Sequence, residues 1–242
     1  MITKANIQFV KGLQDKKQRQ KYGQFTVEGE KSITELLKSN FTVLRLFALA
    51  GWIQENNGII GETECTVVSE RELTQISVHK APQKVLAVVK CPLPTAPLPG
   101  SLFVLGLDEI QDPGNLGTLI RIADWYGIQQ IVCSPGSTDV YAPKCINATM
   151  GSFLRVRVHY GDIIEASESL NLPIIVTAFD GQNIHKSELP EKGLVVIGNE
   201  GHGIAPALLK AASVKLTIPR FGGAESLNAA VSAAIVLDNL IR

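Results

Sequence analysis

This sequence has no excess of charge of either sign, no paired cysteines and no long hydrophobic run. Lys plus Arg and Asp plus Glu both number 23 among 242 residues, so the formal net charge is zero. A uniform polycation or polyanion is excluded on that ground. Cys65, Cys91, Cys133 and Cys145 show no CxxC spacing, and His79, His159, His185 and His202 form no His-x-x-x-His pair. A disulfide framework and a metal site are therefore not expected, and a reducing cytoplasm suits the thiols. No apolar stretch approaches the roughly 18 residues of a membrane-spanning helix, and no basic-then-apolar leader opens the chain. The expectation is a cytoplasmic protein without metal or membrane segment.

What the sequence does hold is core material: 45% hydrophobic residues and a mean hydropathy of +0.15. That suffices for one large domain or two modest ones. The charges balance overall but not locally. Residues 1–90 carry 13 basic and 9 acidic side chains, residues 91–242 carry 10 and 14. Six basic residues fall within the first 21, opposed only by Asp15. Lys16, Lys17, Arg19 and Lys21 are thus candidates to meet the phosphates of a polyanion, a solvated helix face being the plainer alternative.

Four prolines in CPLPTAPLPG, residues 91–100, mark a stiff linker between two domains, 1–90 and 101–242. Before it, strands at 25–28, 43–50, 65–68 and 85–89 alternate with helical stretches, which describes a small α/β sandwich. After it, strands are expected at 102–107, 130–133, 154–158, 174–178, 194–197 and 214–218. These are near-continuous Val/Ile/Leu runs, as in a parallel sheet buried on both faces. Helices are expected at 115–126, 143–151, 162–170 and 205–212. Ligands on such sheets bind beyond the carboxyl ends of the strands.

Three junctions in the second domain are rich in glycine and polar side chains. In LDEIQDPGNLGTLIRIADWYG, Leu107–Gly127, Asp112-Pro113 reads as an N-cap followed by proline at the first helical position, with Asn115 at the mouth and Arg121 further in. In VIGNEGHGI, Val196–Ile204, three glycines surround Asn199 and Glu200 after a strand end, which suits a loop that wraps a ligand with backbone groups. In IPRFGGAESLNAAVSAAIVL, Ile218–Leu237, Ser226 stands where an N-cap belongs, Asn228 follows, and a run of alanines makes a thin helix. None of the three is a Rossmann fingerprint or a P-loop.

Together and in this order, these stretches resemble the three signature motifs of the SpoU/TrmH RNA ribose 2′-O-methyltransferases, in the SPOUT superfamily. ATMGSFLRVRV, Ala148–Val158, resembles the segment that follows the first motif, and FTVEGEKSITELL with ISVHKAPQKVLAVV resembles the substrate-binding domain many members carry in front. Nearly the whole chain is covered. The resemblance implies a mostly parallel SPOUT catalytic domain with a C-terminal trefoil knot, S-adenosylmethionine as methyl donor, and RNA, ribosomal rather than transfer RNA, as acceptor. It places Asn115, Arg121, Glu200, Ser226 and Asn228 in the catalytic set. It places the cofactor on Ile197, Gly198, Asn199, Glu200, Gly201, Ile218, Ser226, Leu227 and Asn228. It further implies a homodimer in which Arg121 of one chain approaches the cofactor of the other.

A guanidinium with a pKa above about 12 is a poor free base at neutral pH. Arg121 is better suited to stabilising a nascent alkoxide or clamping a phosphate. Two alternatives from other classes compete: a non-catalytic RNA-binding protein that retains the fold, and a Rossmann-type nucleotide enzyme. The complete polar set opposes the first, and the missing glycine fingerprint opposes the second.

Overall fold

The apolar runs sort into two sheets in the computed structural model of the chain, which describes residues 2–199 and 201–241. The first stretch folds as α1 (Lys4–Gly12), α2 (Lys16–Tyr22), β1 (Gln24–Glu28), α3 (Glu30–Leu37), β2 (Val43–Ala48), α4 (Ala50–Ile60), β3 (Cys65–Val67), α5 (Glu70–Ile76) and β4 (Val85–Lys90). The strands lie in the order β1-β4-β2-β3, with β4 antiparallel to both neighbours. Alternation along the strands divides their side chains between two cores. Phe25, Val27, Leu46, Ala48, Val85 and Ala87 meet Ile33 and Leu36 of α3 and Trp52 of α4. Phe47, Leu86 and Val88 meet Val10 of α1 and Leu73 and Ile76 of α5. Ser69 and Glu72 close the expected capping box on α5.

One member of the basic cluster is not on the surface. Arg19 is only 4% exposed, and its Nη1 donates to the carbonyls of Leu13 (2.9 Å) and Gln14 (2.8 Å). It satisfies carbonyls left open where α1 ends, so it does not face phosphates as expected. Lys16, Lys17 and Lys21 are exposed.

The second sheet follows: β5 (Phe103–Leu107), α6 (Pro113–Trp125) and β6 (Gln130–Cys133). The chain then returns to the first unit. α7 (Pro143–Thr149) and a 3-10 turn at Ser152–Leu154 belong to the segment Tyr141–Leu154, which packs with residues up to Leu93. Tyr141, tilted, and Phe153, edge-on, pack around Phe25 at ring-centroid distances of 4.6 and 6.2 Å, and Ile146 joins the same core. Burying these rings outweighs proximity in the chain. It also explains why the strand expected from Leu154 starts later, as β7 (Arg157–Tyr160). The remaining elements are α8 (Ile163–Leu170), β8 (Ile174–Asn183), β9 (Gly193–Ile197), α9 (Pro206–Ala211), β10 (Val214–Thr217) and α10 (Ala229–Leu240). All six strands of this sheet are parallel, in the order β10-β8-β9-β5-β6-β7.

The proline-rich linker is strapped to this second sheet from residue 94 on. Gln130, buried on β6, accepts from the Leu98 amide (2.7 Å) and donates to the Leu98 carbonyl (2.8 Å) and Ser101 Oγ (3.1 Å). Buried His159 Nδ1 lies 2.6 Å from the Thr95 carbonyl, so that nitrogen carries the proton. Among the described residues no helix is long and apolar enough to cross a membrane. Replacing Gln130 by alanine strands both Leu98 groups, and urea titration should register a loss of about 1–3 kcal/mol. Amide exchange at Leu98 should quicken in parallel. An unchanged exchange rate at Leu98 would show that the strap does not hold the linker.

Candidate active site

The carboxyl end of β9 leads into a loop that folds back on itself. A Cβ on Gly198 would stand 2.5 Å from the Gly203 backbone and 2.7 Å from Ile204 Cγ1, so only glycine permits this approach. Asn199 and Gly203 exchange backbone hydrogen bonds of 3.0 and 2.9 Å across the loop. The Asn199 side chain fills the turn: its Oδ1 accepts from the amides of Gly201 (2.7 Å) and His202 (3.2 Å), and its Nδ2 donates to the Glu109 carbonyl (2.8 Å). Buried Asp108, at the end of β5, accepts from the Ala205 amide at 2.8 Å and ties the far side of the loop to the sheet. Sequence reasoning passed over Asp108; its place directly after an apolar strand was the available signal.

This loop forms one wall of a cavity of about 910 Å³ that lies wholly within the second unit. Of the residues expected to hold a cofactor, Ile197, Gly198, Asn199, Gly201, Ile218, Ser226 and Leu227 line it. Glu200 lies outside the described residues. Asn228 is not among the lining residues. Thr177, Ala178, Phe179 and Asp180 also line it, the last two on the part of β8 that runs on to Asn183, beyond the expected strand. Gly181 allows that extension: a Cβ there would meet the Leu216 backbone at 2.6 Å, where the β8–β10 register shifts. Phe221, 97% exposed, also borders the cavity.

The final helix starts later than expected. Its N-cap is Asn228, not Ser226; Asn228 Oδ1 accepts from the amides of Ala230 (2.9 Å) and Val231 (3.4 Å). Both residue types cap well. Burial of Ala229 and Ala230 fixes where the helix begins and leaves exposed Ser226 to the cavity. Asn228 Nδ2 in turn donates to Asn115 Oδ1 at 3.1 Å, joining the start of α10 to the first turn of α6. There the expected cap is present: Asp112 Oδ1 accepts from the Asn115 amide at 2.9 Å, with Pro113 opening the helix. Thus Asn115 and Asn228 are brought together, and Ser226 stands on the cavity.

Arg121 is not brought to them. Six residues along α6 place it about 9 Å further down the axis and about 120° round from Asn115. It is exposed, does not line the cavity and has no partner among the described residues. Sulfur nucleophiles are poor candidates: burial pushes the Cys133 thiol far above its usual range and raises that of Cys65. No cluster of potential metal ligands occurs among the described residues.

A parallel α/β sheet with a glycine-bordered cavity at its carboxyl ends is the arrangement in which α/β enzymes bind small ligands. Residues 102–238 match the SpoU rRNA Methylase family, and residues 4–87 match the MRM3-like substrate binding domain. The chain belongs to the SpoU rRNA methylase family. It is 32% identical to the 23S rRNA (guanosine(2553)-2′-O)-methyltransferase RlmP of Bacillus subtilis over 238 residues, 95% of this chain and 93% of that one. A TrmH-family structure from Porphyromonas gingivalis superposes with a TM-score of 0.89 at 31% identity, covering 99% and 98% of the two chains. The SpoU methyltransferase AviRb from Streptomyces viridochromogenes, solved with AdoMet, superposes at 0.87 with 26% identity, covering 99% and 97%.

Gly198→Ala should open the Asn199–Gly203 bridge. Faster amide exchange at Asn199 and Gly203, with the rest of the sheet still protected, is the expected result. Unchanged protection at both would mean that the loop tolerates a side chain there.

Proposed function

We propose that this chain methylates the 2′-hydroxyl of a ribose in RNA, ribosomal RNA rather than transfer RNA, using S-adenosylmethionine. The cavity carries the reading. Its volume falls within the range of about 300–1,000 Å³ typical of small-molecule sites, and the loop folded back at Gly198 borders it. Ile197, Gly198, Asn199, Gly201, Ile218, Ser226 and Leu227 would hold S-adenosylmethionine, with Glu200 and Asn228 assigned to the same site. The bound cofactor supplies an electrophilic methyl group. The names of the relatives, and an AdoMet-bound neighbour that matches nearly the whole chain, support this assignment. The C-terminal trefoil knot implied by the family belongs to the same reading, as do a cytoplasmic location and RNA capture by residues 1–90 ahead of the 91–100 linker.

Methylating a hydroxyl requires alignment of the ribose and stabilisation of the oxygen as it loses its proton. Ser226 and the Asn115–Asn228 pair supply neutral donors and acceptors that orient the ribose. Arg121 supplies the fixed positive charge. Its distance from the Asn115–Asn228 pair within one chain favours delivery from a second copy. α6 and α10 pack together and leave Trp125 83% and Val231 48% exposed, apolar surface that a homodimer would bury.

Calorimetry on the full chain should detect S-adenosylmethionine binding, and Gly198→Ala should weaken it. A folded chain that binds no S-adenosylmethionine would overturn the assignment. For the shared site, Arg121→Ala should leave cofactor affinity nearly intact while lowering turnover about a hundredfold or more. Mixing it with the Gly198→Ala chain, at an S-adenosylmethionine concentration too low to fill the weakened site, should restore activity through heterodimers that contain one intact site. Failure of the mixture to recover, or an active monomer in ultracentrifugation, would rule out the shared arrangement.

A further inference from the structure

The first unit carries a groove that none of the motifs explains. It encloses about 300 Å³ and is lined by Phe9, Gln24, Leu44, Arg45, Phe47, Glu64 and Val88. Phe47 and Val88 form an apolar floor, and Phe9 of α1 one wall. Arg45 is already fixed: its Nη2 pairs with Glu64 at 2.8 Å and its Nη1 donates to Asn6 Oδ1 at 3.2 Å. Gln24 adds an amide whose side chain has no partner among the described residues. A free phosphate would meet the Glu64 carboxylate here and be repelled. A flat ring with hydrogen-bonding edges fits the combination of apolar floor, guanidinium, carboxylate and amide.

Phe9 also packs edge-on against Tyr22, with ring centroids 5.1 Å apart and planes at 73°. Lys21 Nζ lies 5.1 Å from the Tyr22 centroid. Tyr22 nevertheless remains 44% exposed, so its ring is held in place yet open. Lys16, Lys17 and Lys21 stand exposed on the same short helix. Aromatic faces beside lysines, next to a groove with polar edges, are the arrangement by which proteins hold unpaired RNA. We propose that this groove receives an unpaired nucleobase of the RNA substrate, that Tyr22 stacks on a neighbouring base, and that the lysines of α2 neutralise the phosphates between. The inference rests on the RNA-modifying reading above and gives the front unit a single-stranded substrate class.

The test uses the full chain, a single-stranded RNA oligonucleotide of mixed sequence and a blunt duplex containing that sequence. Fluorescence anisotropy should show tighter binding to the single strand. Tyr22→Ala should weaken that binding about tenfold, Tyr22→Phe should retain it, and duplex binding should change little in either variant. Ultraviolet crosslinking of the unaltered chain, mapped by mass spectrometry, should place adducts on Phe9 or Tyr22; this readout needs no variant to fold. Equal affinity of Tyr22→Ala and the parent, or crosslinks confined to other segments, would overturn the proposal. Calorimetry with S-adenosylmethionine on the same preparation separates the two ideas. Cofactor binding without a Tyr22 effect removes only the groove, and a Tyr22 effect without cofactor binding removes only the methyl-transfer reading.

Discussion

The loop that borders the cavity depends on one close approach, that of the Gly198 backbone to Gly203. Any Cβ at Gly198 would overlap backbone atoms that cannot swing away as a side-chain tip could. Because the approach is possible, Asn199 can spend its amide oxygen on the turn and its amide nitrogen on the Glu109 carbonyl, and Asp108 can hold the exit toward α9. The loop that results lines the cavity together with Thr177–Asp180 and the segment before α10. Loss of the approach would release these hydrogen bonds together, since each uses the same folded loop as its partner.

The polar residues divide by geometry into two groups. Asn228 caps α10 and reaches Asn115 on α6, so the two helix starts are locked by one amide pair. Arg121 sits on a different face of α6 and stays in solvent. A charged group that must act at developing negative charge gains little from being held ready in water. Under the proposed site shared between two copies, its exposure would suit a residue whose target arrives with another surface.

Local chemistry was legible in the sequence, and long-range pairing was not. Asp112-Pro113 predicted the start of α6 because cap and proline act within one turn. The glycines of Gly198–Gly203 marked a loop with unusual backbone demands, and the structure puts the close approach there. Ser226 and Asn228 are both good caps, so only the burial of Ala229 and Ala230 could decide between them. Arg19 looked like its basic neighbours because nothing local reveals that two carbonyls at the end of α1 need a donor. The return of Tyr141–Leu154 to the first unit depends on Phe25, more than a hundred residues away in sequence, and no periodicity encodes it. The resemblance to a family, carried by three ordered motifs, supplied the chemistry that spacing alone left open among several classes.

Where the methyl group lands separates a ribose methyltransferase from every other reading of the chain. Alkaline cleavage of RNA needs a free 2′-hydroxyl to attack the adjacent phosphate, so a methylated ribose protects the bond that follows it. The decisive measurement incubates the purified chain with methyl-labelled S-adenosylmethionine and ribosomal RNA lacking modifications, then digests the product in alkali. Label recovered in an alkali-stable dinucleotide is the result this account predicts. Label confined to alkali-released mononucleotides, or no incorporation by a chain that binds the cofactor, would contradict it.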